Sequence, residues 1–187
     1  MTNLKILYDR VMVFRAYMDA NTDWKTPSVI DCLRFAVCEA AESLDAWLRE
    51  KGGYARNREN GHTVHSELAQ CALMLLTALG EIGVGFQPKK SIPVDLDTIV
   101  VETAAALAQA NAGTWHWPVL RCLRGIAAYP GMDLAVELDK AMEQIRRKHD
   151  VRHCTQRLPA AEATWDSGHT ADEQAQRWAG SGMEESD

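Results

Sequence analysis

Residues 26–50 read TPSVIDCLRFAVCEAAESLDAWLRE, and the spacing of their apolar side chains decides the fold class. Thr26 is placed to cap a helix and Pro27 to fill its first position, which predicts a helix running to about Glu50. Ile30, Leu33, Val37, Ala41, Leu44 and Leu48 recur at steps of three and four, the stripe a helix buries against a neighbour. Cys32, Phe35 and Ala46 occupy the other side, together with Glu39 and Glu42. A helix apolar on nearly all sides is buried, and buried carboxylates must be paired, protonated or bound to a cation. Glu39, Glu42 and Asp45 rise along successive turns of one side; the plain alternative for such spacing is solvated helix surface.

Outward from this stretch the punctuation is regular. Gly52-Gly53 ends the helix, and Tyr54 to Gly61 reads as an exposed loop. A helix from about Thr63 to Leu79 follows, with Val64, Leu68, Cys71, Ala72, Leu75 and Leu79 apolar and Glu67 and Gln70 one turn apart among them. Upstream, Leu4, Leu7, Val11, Phe14 and Met18 predict a first helix over about 3–19. Gly80 to Pro93, with three Gly and two Pro, is a connection. Two helices are expected at Asp95 to Ala110 and Pro118 to Ala128, and a last one from Met132 to about His149, with Leu134, Leu138, Ala141 and Ile145 inward. No alternating strand pattern occurs, so the class is all-α. The expected organisation is a helical domain over 1–150 and a tail over 151–187 with too few apolar residues for a core of its own.

The bulk properties agree. A chain of 187 residues supports one well-buried domain. Twenty Lys and Arg against 26 Asp and Glu give a net charge of −6, which leaves no broad basic footprint for duplex nucleic acid. No uncharged run reaches the ~20 apolar residues of a membrane helix. The first residues lack the apolar core of a signal peptide, so a cytoplasmic location is expected. Five widely spaced cysteines in apolar contexts read as small hydrophobes rather than as a disulfide framework.

If the two acidic helices form an antiparallel hairpin, Glu39 and Glu42 meet Glu67 and Gln70 at one height and make an oxygen-rich pocket. Oxygen-only ligands favour Mg²⁺ or Mn²⁺. The competing reading is a water-filled polar seam.

Asp23-Trp24-Lys25-Thr26-Pro27, Cys38-Glu39-Ala40-Ala41-Glu42 and Glu67-Leu68-Ala69-Gln70, followed by the aliphatic run Leu73 to Leu76, resemble the all-α nucleotide pyrophosphohydrolases of the MazG and dCTPase type. Lys140, Gln144 and Arg147 resemble that family's closing Lys-x-x-x-Asn-x-x-Arg helix. The likeness covers about 1–83 and 131–149, with 94–129 as a helical insertion. It implies an antiparallel helical bundle of the MazG-like type that holds Mg²⁺ on acidic side chains and cleaves a nucleoside triphosphate to the monophosphate and pyrophosphate. Glu39, Glu42 and Glu67 would be catalytic residues and metal ligands, with Gln70 a neutral fourth oxygen. Lys140, Gln144 and Arg147 would meet the triphosphate, and Trp24 and Trp47 the base. Gln70 departs from the family's Asp and removes one negative charge; Gln144 departs from its Asn.

The expected partners are a nucleoside or deoxynucleoside triphosphate and further copies of the chain, as a homodimer or dimer of dimers built on the first helix's apolar stripe. No nucleic-acid duplex and no membrane is expected. The contrasting reading is a catalytically impaired helical protein that binds a nucleotide or a protein, and Gln70 is the feature favouring it. His62 and His65, where the third helix begins, read as ordinary surface groups or as groups approaching phosphate.

Overall fold

The computed structural model describes residues 3–51, 62–82 and 93–156, with side chains as far as His149. The loop expected at 54–61, most of the connection expected at 80–93 and the tail beyond 156 lie outside the described residues. Six α-helices follow one another: α1 (Leu4–Asn21), α2 (Val29–Glu50), α3 (Val64–Ile82), α4 (Leu96–Ala108), α5 (His116–Ala127) and α6 (Leu134–Gln156). A 3₁₀ turn, Ala110–Ala112, separates α4 from α5, and no strand occurs among the described residues. None of the described helices is long and apolar enough to cross a membrane.

Helix starts are set by short polar side chains. Asn3 accepts the Lys5 N–H at 3.0 Å, and Asp95 accepts that of Thr98 at 2.8 Å. At α2 the cap is Ser28, not Thr26: Ser28 Oγ accepts the Asp31 N–H at 3.2 Å. Thr26 is committed elsewhere, its N–H and hydroxyl donating to the Asp19 carboxylate at 2.8 and 2.5 Å. α6 runs one to two turns beyond its expected end, to Gln156.

α2 and α3 form an antiparallel hairpin. At one end Cys32, near the start of α2, feels the charges of Arg15 and of Glu81 near the end of α3; at the other, Glu42 lies beside Glu67. The buried face of α2 is rotated from the expected stripe. It consists of Cys32, Leu33, Ala36, Ala40, Ser43 and Ala46, while Ile30 and Leu48 are more than a third exposed and Phe35 is half exposed. Small residues win this face because they let two helix backbones approach, whereas the larger side chains of the expected stripe hold a neighbour off. α3 is the central rod, with Leu68, Leu73, Leu75, Leu76 and Leu79 fully buried.

The α1 stripe behaves as expected, Leu7, Val11 and Met18 being buried, but it is covered within its own chain. Exposed Ile6, Val13 and Tyr17 lie on another side of α1. α4 and α5 pack antiparallel, with Glu102 against Arg121 and Ile99 against Cys122, and their Ile99, Val119, Leu123 and Ile126 belong to the same core as α2 and α3. The segment 94–129 is therefore built into the core. α6 runs alongside α1 in the same direction: Arg10 pairs with Asp139, and beyond α1 Asp23 meets His149 at 2.7 Å.

Gly125 on α5 lies against Val94, which precedes α4. A Cβ there would sit well inside the van der Waals contact distance of Val94 Cγ2, and the short, branched valine has no flexible end to move away. Helix propensity alone favours Ala over Gly by about 1 kcal/mol, while overpacking costs about 1–3 kcal/mol. Gly125→Ala is expected to lower the urea unfolding free energy by about 1 kcal/mol, and a gain in stability would contradict this packing.

Candidate metal centre

The start of α3 carries the centre. The Thr63 N–H donates to Ser66 Oγ at 2.9 Å and the Ser66 N–H to Thr63 Oγ1 at 3.1 Å, a reciprocal cap with Thr63 as the capping residue. That geometry brings the residue before the cap against the fourth helical residue, a relation usually filled by two apolar groups. Here the two are His62 and Glu67, and His62 Nδ1 is in hydrogen-bond contact with Glu67 Oε1. Glu67 is completely buried, and Gln70 Nε2 approaches its other oxygen at 3.4 Å.

α2 supplies the second wall. Glu39 precedes the buried Ala40 and is half-buried at the rim of the small-residue face; Glu42, one turn on, is exposed. Burial, the hydrogen bond to Glu67 and then the negative charges of Glu67 and Glu42 push the Glu39 carboxyl up to about 8, and the Lys148 ammonium on α6 works against that rise. Glu39 therefore keeps its proton near neutral pH. Among the described residues, Glu42, His62 and Glu67 form a group able to hold a metal ion, with one ligand atom from each lying within 4.8 Å of the others.

The residues expected at the site divide into two sets. Glu39, Glu42, Glu67 and Gln70 converge. Gln70 offers its amide N–H to Glu67, where a carboxylate would have added repulsion. Asp45 instead pairs with Arg49 on its own helix at 3.2 Å. Lys140 pairs with Glu137 at 2.7 Å and Arg147 with Glu143 at 2.8 Å, both along the exposed side of α6, and Gln144 is exposed. Trp24 packs beside Phe14, ring centres 6.3 Å apart. Trp47 carries Lys51 over its ring and lines a cavity of about 230 Å³ with Leu44, Val94, Leu96 and Tyr129. Five residues past Glu42, Trp47 lies about 140° around α2 from it.

Two participants were not legible as such in the sequence. His62 reads as a surface group until the cap at Thr63 and Ser66 is recognised, and that pair was the available signal. Lys148, rather than Lys140 or Arg147, is the α6 cation whose charge reaches Glu39. His65 has a structural role: its Nε2 meets the Pro130 carbonyl oxygen at 3.2 Å and its ring stands edge-on to Tyr129.

Compared with protein-family models, curated proteins and solved structures, the chain matches none of them.

The raised Glu39 carboxyl gives the metal-free protein a signature. Between about pH 4.5 and about 8 the folded chain keeps a proton that the unfolded chain has released. The associated stability is present below pH 4.5 and is lost as pH rises through about 8. Glu42, Glu67 and Lys148 act on the same carboxyl and His62 touches Glu67, so the comparison is between wild type and Glu39→Gln, which keeps all four. In EDTA the melting temperature of wild type should fall from pH 5 to pH 9 relative to that of Glu39→Gln. Parallel curves for the two proteins would show that Glu39 is an ordinary surface carboxylate.

Proposed function

We propose that the chain is a metal-dependent nucleoside triphosphate pyrophosphohydrolase of the all-α MazG-like type, converting a nucleoside or deoxynucleoside triphosphate to the monophosphate and pyrophosphate. The observation that carries this reading is the convergence of Glu39 and Glu42 from α2 with Glu67 and Gln70 from antiparallel α3 at a buried seam. The donor set suits a hard divalent ion, Mg²⁺ or Mn²⁺, held by Glu39, Glu42 and Glu67 with the Gln70 amide carbonyl turned inward. Such an ion, when bound, offsets phosphate charge and acidifies a coordinated water.

The chain's own groups supply the remainder. Once it has lost its proton, Glu39 is the half-buried carboxylate placed to accept the proton of an attacking water. Lys148 offers a positive charge to the phosphates on the same side. The contact between Asp23 and His149 draws the segment bearing Trp24 to the stretch of α6 next to Lys148, so Trp24 is the better placed of the two tryptophans to stack on a base. A second copy of the chain, as a homodimer or dimer of dimers, would sit on the face bearing Ile6, Val13 and Tyr17.

A second reading is a catalytically impaired helical module that binds a nucleotide or a protein. It is favoured by Gln70, which is neutral, and by the way His62 and Gln70 already occupy the oxygens of Glu67. Pyrophosphate release from a panel of NTPs and dNTPs with Mg²⁺ or Mn²⁺ separates the two. Wild type should turn over at least one triphosphate, and Glu42→Ala should lose about 100-fold or more, since removing a direct ligand costs more than the 10–100-fold of outer-shell changes. Trp24→Ala should raise KM with little change in kcat. Background release from wild type and Glu42→Ala alike rejects the enzyme, and nucleotide binding without turnover supports the module.

A further inference from the structure

We propose that His62 is a nitrogen ligand of this centre, so that the site prefers a first-row transition ion, with Mn²⁺ as the probe, to Mg²⁺, an inference that rests on the metal-dependent reading above. Oxygen ligands alone leave Mg²⁺ and Mn²⁺ nearly matched, whereas an imidazole adds affinity for transition ions and little for Mg²⁺.

The geometry favours His62. Its ring nitrogen and one oxygen each of Glu42 and Glu67 lie within 4.8 Å of one another. Bonds of about 2.1 Å place neighbouring ligand atoms about 3 Å apart and opposite ones about 4.2 Å apart, so around an ion the hydrogen-bonded His62 and Glu67 open slightly while Glu42 closes in. Two of the three side chains can make that adjustment. Glu42 is exposed and His62 is 43% exposed, while Glu67 is fully buried and serves as the fixed anchor. Charge agrees, because two carboxylates and a neutral imidazole carry −2, which one divalent ion cancels. A third ionised carboxylate is not required. The cap at Thr63 and Ser66 holds the His62 backbone in place ahead of any ligand, which lowers the ordering cost of binding. A plain histidine–carboxylate pair predicts the same contact without an ion, and metal binding distinguishes the two.

The test uses the full chain stripped with EDTA. Calorimetric titration with Mn²⁺ and with Mg²⁺ is expected to give at least 30-fold tighter Mn²⁺ binding in wild type. His62→Ala should weaken Mn²⁺ tenfold or more and Mg²⁺ less than threefold, with His62→Gln behaving alike; circular dichroism checks that both fold. Pulsed electron paramagnetic resonance of bound Mn²⁺ should show nitrogen coupling in wild type, which shifts on ¹⁵N-histidine labelling and vanishes in His62→Ala. This measurement on wild type stands even if the variants fold poorly. Mn²⁺ binding that Glu67→Gln weakens, without nitrogen coupling and with His62→Ala unchanged, overturns the histidine ligand and leaves the carboxylate site standing. If neither ion binds wild type, both readings are overturned.

Discussion

Three carboxylates that meet at a partly dry seam between two helices cannot all be ionised without a compensating charge. This constraint organises the described part of the molecule. α2 and α3 come close because Ala36, Ala40, Ser43 and Ala46 are small, and that closeness buries Glu67 completely and Glu39 by half. Once buried, Glu39 holds a proton and Glu67 takes contacts from His62 and Gln70. A single divalent ion would satisfy the same need with its two charges.

The other elements keep the seam in place and give it surroundings. α3, the most deeply buried helix, packs against α2, α1 and α5, and its first turn carries Glu67. At the start of α3, His65 ties that turn to the carbonyl of Pro130. α6, running beside α1, brings Lys148 toward Glu39 and holds Asp23, next to Trp24, through His149. A group able to hold a metal ion thus lies within reach of the Lys148 charge.

Much of this was legible in the sequence, and the failures share a cause. The six helices follow from apolar periodicity and turn residues, since each signal is local. The convergence of Glu39, Glu42 and Glu67 follows from placing two acidic helices in one hairpin. What periodicity misjudged was rotation about an axis: on α2 it chose the bulky stripe of Ile30 and Leu48, while packing selected the small residues, because close approach of two backbones is a pairwise property. Lys148, the α6 cation whose charge reaches Glu39, was missed for a similar reason. Lys140 and Arg147 have acidic partners one turn away on α6, and such local pairing competes with any distant role. His62 was hidden because its significance depends on a cap that sets it against Glu67.

The most direct test of the central claim is an anomalous-difference map from crystals soaked in Mn²⁺. The account predicts one strong peak between α2 and α3, within about 2.2 Å of oxygens from Glu42 and Glu67, with Glu39 adjoining it. A map with no peak at that seam, and carboxylates still in contact with one another, would contradict it.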